Sequence, residues 1–289
     1  MANRIVIFQL AANSKDWGTI RRNRLGLWRA TTGPESPCPV TPMLTRPTLE
    51  ASIREVEVAP KATPSEFENP LAPGLFRFLK ALKAHNDRDW FQANRARYEA
   101  EARDPALRLI AGFSGPLAAI SRHMEADPRP SGGSLFRIHR DTRFSRDKSP
   151  YKTHLGVNFR HRSAAAGGVH GPGFYLHLEP GGCFGGGGLW HPEPEALFKV
   201  RQAIVGRSAA WKKLRAALEI EGEALTRVPR GFDPDHPCAE DLKFKDFYAA
   251  TAFTDAEVLA PDFPVRLARA LQEAAPLVRF LCRALELPF

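Results

Sequence analysis

No stretch of this chain approaches the ~18 to 20 consecutive apolar residues that a membrane-spanning helix needs. Its four cysteines, Cys38, Cys183, Cys238 and Cys282, form no Cys-x-x-Cys pair and have no histidine at ligand spacing beside them. The first absence argues against an integral membrane protein. The second argues against a cysteine-built metal site and for four reduced thiols. The 22 glycines include the run GGCFGGGGLW, which fits neither G-x-G-x-x-G between a strand and a helix nor GxxxxGK[ST]. No serine sits in a G-x-S-x-G elbow, signatures of RNA-binding modules are missing, and there is no internal repeat. Phosphate-cradling loops and nucleophile-elbow hydrolases are therefore not indicated.

Arg4 followed by IVIFQLAA has the outline of a signal peptide. Gln9 interrupts it, however, and polar NSKD follows where a small-residue cleavage site belongs. The expected location is the cytoplasm.

What the chain does have is enough apolar character to fold: 289 residues, 43% hydrophobic, suit one or two domains. The formal net charge is +9, and it is unevenly spread. Between Arg129 and Arg162 nine Lys/Arg face two acidic residues, so that segment alone holds +7. This is a focused positive site rather than a generally basic surface, and it suits an anionic partner.

Residues 1–65 read differently from the rest. TIRRNRLGLWRATTG lacks a sustained apolar period, and nine prolines lie between Pro34 and Pro73. Proline at that density removes backbone donors and blocks helices, so an extended or disordered extension is expected. Met43 lies inside it, so the extension is equally well explained by a start codon placed upstream of the true one. Residues 66–289 are expected to form a single α+β domain.

Within that domain GLFRFLKALKAH places Leu75, Phe76, Phe78, Leu79 and Leu82 at helical spacing. Asn86 or Asp87 can cap a second helix carrying the stripe Trp90, Phe91, Asn94 and Tyr98. A third helical pattern runs through ALRLIAGFSGPLAAISRHM. After Gly133 the period becomes alternating. LFRIHRD is expected to set Phe136 and Ile138 against Arg137, His139 and Asp141. HLGVNFRHR sets Leu155, Val157 and Phe159 against His154, Asn158 and Arg160. GFYLHLEP sets Phe174, Leu176 and Leu178 against Tyr175, His177 and Glu179. Such segments are antiparallel strands covered on one side only. CFGGGGLW and KFKDFYAATAF add strands, for a central sheet of about four or five. Helices return from Pro194 onward, and the last pattern is a hairpin or a helix broken at Pro276.

Arg137, Arg140, Arg143 and Arg146, with Lys148 and Lys152 beyond, occupy the first strand and the turn at Pro150. Arg137, Arg140, Arg143, Lys148 and Lys152 are the candidate anion-binding set, because guanidinium forks grip phosphate or carboxylate in two places at once. Asp141 and Asp147 would pair with neighbouring arginines in a purely structural role; the two readings are compatible. Asp141, Tyr151, His177 and Glu179 are the candidate catalytic groups, as acid, base or proton donor. His154, His177 and Glu179 share a face and raise the question of a metal. The surrounding arginines repel one, so no metal and no cofactor is assigned.

The motifs GGSLFRIHRDTRFSRDKSPYKTHLGVNFRH, GPGFYLHLEPG and GGGLWHPEPEAL, with the earlier HNDRDWFQANRARYE and the later LTRVPRGFDPDHPCAEDLKFKDF, resemble a bacterial conserved-hypothetical family, domain of unknown function 2461. The likeness runs from about Leu71 to the C-terminus. On matching positions it singles out Arg137, Arg140, Asp141, Arg143, Phe144, Lys148 and Tyr151. It implies one domain of this length in mostly bacterial cytoplasm, with residues 1–65 outside it, and no substrate.

Three functions fit these residues. The leading one is an enzyme or binder acting on a phosphorylated or carboxylated small molecule. The second is a nucleic-acid module using the basic run with Phe144, Tyr151 and Tyr175. The third is a structural or protein-interaction role.

Overall fold

A computed structural model describes residues 67–143, 145–163 and 171–289. The proline-rich extension expected at 1–65 lies outside the described residues, as do Phe144 and most of the loop that follows Arg162.

Helix α1 (Gly74–Ala84) buries Leu75, Phe76, Phe78, Leu79 and Leu82, as the 3.6-residue period requires. Asp87 caps α2 (Arg88–Ala93), its Oδ1 accepting from the Trp90 amide at 2.8 Å, a contact worth about 1 kcal/mol. The helical pattern then continues as α3 (Arg95–Tyr98), a π-helical turn (Glu99–Arg103), α4 (Asp104–Gly112) and α5 (Ser114–Ile120). Phe91 and Tyr98 of the expected stripe are buried; Asn94 instead caps the backbone between α2 and α3.

Four strands follow in a plain antiparallel meander: β1 (Leu155–Arg160), β2 (Gly173–Leu178), β3 (Cys183–Leu189) and β4 (Phe247–Phe253). The period-2 pattern sends Leu155, Val157, Phe159, Phe174, Leu176 and Leu178 into one apolar cluster. Between β3 and β4 come α6 (Pro194–Gly206), α7 (Ser208–Ala217) and the short α8 (Ala239–Leu242). These helices build a second cluster with Leu189, Phe247 and Ala249. After β4, α9 (Asp255–Leu259) leads into α10 (Phe263–Ala284).

Helix α10 backs the sheet and joins both clusters: Leu267, Leu271, Ala274 and Val278 belong to one, Leu277 and Leu281 to the other. Pro276 neither ends nor splits it, contrary to the break expected from sequence. Proline removes one helical hydrogen bond, but Ala274, Ala275, Leu277 and Val278 on either side are buried, and that packing holds the axis through it. Glycine lets α10 come close to the sheet. A Cβ at Gly187 would lie 2.6 Å from both Phe174 Cδ1 and Val278 Cγ2.

The expected strand LFRIHRD forms only isolated bridges, Leu135 with Val157 and His139 with Tyr151. Its buried residues are Leu135 and Ile138, not Phe136 and Ile138. The return arm needs six steps from Tyr151 to Val157 where the outgoing arm takes four from Leu135 to His139, so the ladder cannot stay in register. The surplus is taken up by a bend at Thr153–His154. Such a bulge re-aims side chains, and here it delivers His154 to the start of β1.

Candidate functional site

The sheet face opposite α10 carries Tyr175 and His177 of β2, followed by Glu179, and Phe184 of β3. The register sets Gly156 opposite His177 and His177 opposite Phe184. His177 is fully buried, with its ring stacked on Phe184 at 4.8 Å and 11°. The His154 ring, brought over by the bend, lies 4.4 Å away on the other side.

Hydrogen-bonding groups surround His177 and Glu179. His177 Nδ1 is 3.4 Å from the Tyr175 hydroxyl, and its Nε2 is 3.5 Å from Glu179 Oε2. Gly156 makes room for that hydroxyl, since a Cβ there would sit 2.4 Å from it. The other carboxylate oxygen of Glu179, Oε1, accepts from Thr153 Oγ1 at 3.4 Å and faces Lys83 of α1 at 3.7 Å. One ligand-type atom from each of His154, His177 and Glu179 falls within 4.8 Å of the other two.

Burial dominates the electrostatics. It pushes the His154 imidazole down to about 3, helped by the charges of His177, Lys152 and Arg140, so the ring is neutral at physiological pH. The hydrogen bond to His177 holds Glu179 below the usual carboxylate range against the opposing effect of burial. Burial raises the ionisation of Tyr175, which stays a neutral hydroxyl.

Lys152 is 9% exposed, and among the described residues no carboxylate pairs with it. Its ammonium lies 5.3 Å over the Phe136 ring, a cation–π contact. Burial, and then the charge of Arg137, push it down to about 8. Phe136 in turn meets Tyr175 at 6.1 Å, so Lys152 belongs to this same sheet face.

Three others of the basic run, Arg140, Arg143 and Lys148, are bonded within the hairpin loop. Arg143 donates to Asp141 through Nε and Nη2, at 3.0 and 2.6 Å to the two oxygens. Arg140 bonds Asp147 and reaches Ser145 Oγ at 3.4 Å. Lys148 donates to the Thr142 carbonyl at 2.9 Å. Asp141, bonded by Arg143, and Asp147, bonded by Ser149 and Arg140, are each held at about 2. Tyr151 is buried, stacked at 4.0 Å on Phe91, with its backbone tied on both sides to the Asn86 side chain.

Beside this hairpin lies a cleft of about 300 Å³ lined by Arg88, Gln92, His139, Arg140, Thr142, Pro150 and Tyr151. It holds two arginines and no carboxylate. Arg140 belongs to both places, lining the cleft and adding its charge to the field at His154.

The candidate residues from sequence thus separate into three settings. Asp141, Arg143 and Lys148 hold the hairpin loop. Arg140 and Tyr151 line the cleft. Lys152, His177 and Glu179 sit on the sheet face opposite α10, and Arg137, exposed, sends its charge toward Lys152. Sequence reasoning did not give Tyr175 its contact with His177, nor Lys83, Arg88 and Gln92 any role at the site. Those residues come from other elements, and no local pattern marks them.

No curated protein and no solved structure matches the chain. A family model does, over residues 74–280, described as "Conserved hypothetical protein (DUF2461)". The match takes in α1, the bridged hairpin, all four strands and most of α10. This chain belongs to that conserved hypothetical family, DUF2461.

Proposed function

We propose that the protein binds, and acts on, a phosphorylated or carboxylated small molecule at the Lys152 end of the sheet face opposite α10. The observation that carries this reading is Lys152 itself, a lysine only 9% exposed with no carboxylate partner among the described residues. Desolvating a cation costs several kcal/mol unless an opposite charge compensates it, and a ligand anion supplies that charge. Arg137 and Arg140 are near enough for their fields to reach Lys152 and His154 respectively, and would extend the clamp. The ligand would then meet His154, His177 and Glu179, where any chemistry upon it would take place. Asp141 has no part in this, being already ionised and bonded to Arg143.

A thermal-shift screen of nucleotides, sugar phosphates and small carboxylates tests the reading. It should yield a saturable increase in melting temperature that Lys152→Met abolishes. If Arg88→Gln abolishes the shift while Lys152→Met leaves it intact, the ligand sits in the cleft and the face is the wrong place. Binding only to oligonucleotides, weakening steeply between about 50 and 200 mM salt, would favour the nucleic-acid alternative.

A further inference from the structure

We propose that His154, His177 and Glu179 form a site for one divalent transition-metal ion of the zinc class, with a coordination position left for a ligand or water. This goes beyond the anion reading and stands without it.

The donor set comes first. Two imidazoles and one carboxylate, with a fourth position open, is a pattern that catalytic zinc sites use. The spacing agrees. Bonds of ~2.0 to 2.2 Å in tetrahedral geometry place neighbouring donor atoms about 3.4 Å apart. His177 Nε2 and Glu179 Oε2 are already 3.5 Å apart. That is long for a charged hydrogen bond and right for two atoms sharing an ion. His154 completes the set within 4.8 Å, and it sits on the Thr153–His154 bend, where a small closure costs little ladder pairing.

The outer contacts are those a metal site needs. With Nε2 as ligand, His177 Nδ1–H faces the Tyr175 hydroxyl, which fixes tautomer and ring plane. Thr153 and Lys83 engage Oε1 of Glu179 and leave Oε2 directed at His177. Gly156 and the stacked Phe184 ring frame a cluster with little room for rearrangement.

The objection from sequence was repulsion by the arginines. The structure removes part of it, because Arg143 is bonded to Asp141 and Arg140 to Asp147, although Arg140 still contributes to the field at His154. Lys83 is largely exposed and therefore screened. Lys152 remains the one buried cation close by among the described residues, and an anion bound to it would offset both charges. Metal affinity should accordingly rise when such an anion is present.

The test uses the full chain, stripped with chelator and titrated with Zn²⁺, and separately with Co²⁺, whose visible absorption reports coordination. One equivalent should bind and survive desalting. Glu179→Gln and His154→Gln, each with a wild-type circular dichroism spectrum, should lower affinity more than about 100-fold, beyond what loss of an outer partner produces. Lys152→Met should keep the metal. The proposal is overturned if no equivalent binds at micromolar Zn²⁺ or Co²⁺, or if the ion binds equally well to both variants and so resides elsewhere. An anion-dependent thermal shift in chelator-treated protein that binds no metal would sink this inference and leave the anion reading standing.

Discussion

The rings of His154 and His177 stand 4.4 Å apart, one at a bend and the other near the end of β2, with the phenyl ring of Phe184 closing the far side. Two buried imidazoles this close cannot both be charged without severe repulsion. One carboxylate, Glu179, accompanies them, and one buried ammonium, Lys152, lies nearby.

Replacing Lys152 by methionine keeps an unbranched apolar side chain and removes the charge that lies over the Phe136 ring. In the absence of ligand the variant should be as stable as the wild type, or more so by about 1 kcal/mol. For a chain of this size that is a rise of about 2 to 4 °C in Tm. Differential scanning calorimetry decides the matter. A large loss of stability would mean that the ammonium has a structural partner and is not waiting for an anion.

Tyr175→Phe deletes only the hydroxyl that faces His177 Nδ1. Metal affinity should fall by about 10- to 100-fold while the ring contacts with Phe136 and Phe184 persist. Gly156→Ala should reproduce the defect, because its new methyl would occupy the place of that hydroxyl. Titration calorimetry with Zn²⁺ reads both. Unchanged affinity in Tyr175→Phe would remove the hydroxyl from the positioning role.

Asp141 and Asp147 are each lowered from 3.8 to about 2 in the folded chain. Their bonds to Arg143, and to Ser149 and Arg140, therefore stabilise the loop fully above pH ~3.8. That contribution is lost as pH falls toward 2. Side-chain carboxyl resonances followed from pH 5 to 1.5 should show both groups titrating near the lower value, with the loop opening at the same time. Midpoints near 3.8 would mean that these pairs do not persist in solution.

Gly187→Ala would put a methyl 2.6 Å from Phe174 and Val278 and wedge α10 off the sheet. Overpacking of this kind should cost about 1 to 3 kcal/mol in denaturant unfolding. Gly115→Ala on α5, where a Cβ meets nothing within 4 Å, is the control and should be neutral or stabilising by up to about 1 kcal/mol. Equal stability of the two variants would show that α10 does not need the glycine.

Much of the fold was legible in the residues. The stripe of α1 and the alternation in β1 and β2 follow from burial on one face, and burial is local in its demand on sequence. The segment LFRIHRD misled because its alternation is real for only part of its length. The two extra residues in the return arm shift the register, and registers are set by partners rather than by the strand alone. Pro276 misled for a related reason, since tertiary packing outweighs one lost hydrogen bond.

The sequence by itself determined which residues carry ionisable groups, that β2 projects Tyr175, His177 and Glu179 to one side, and that a concentrated positive charge precedes them. Only the tertiary structure decided which of those charges are already matched. Asp141 and Asp147 answer Arg143 and Arg140 within one loop, whereas Lys152 is buried against Phe136 with no carboxylate among the described residues. Pairing and desolvation depend on distances between elements, and one strand's pattern contains none of them. Of the conspicuous arginines, Arg140 and Arg143 are matched within the loop, and the proposed site rests instead on Lys152, His154 and His177.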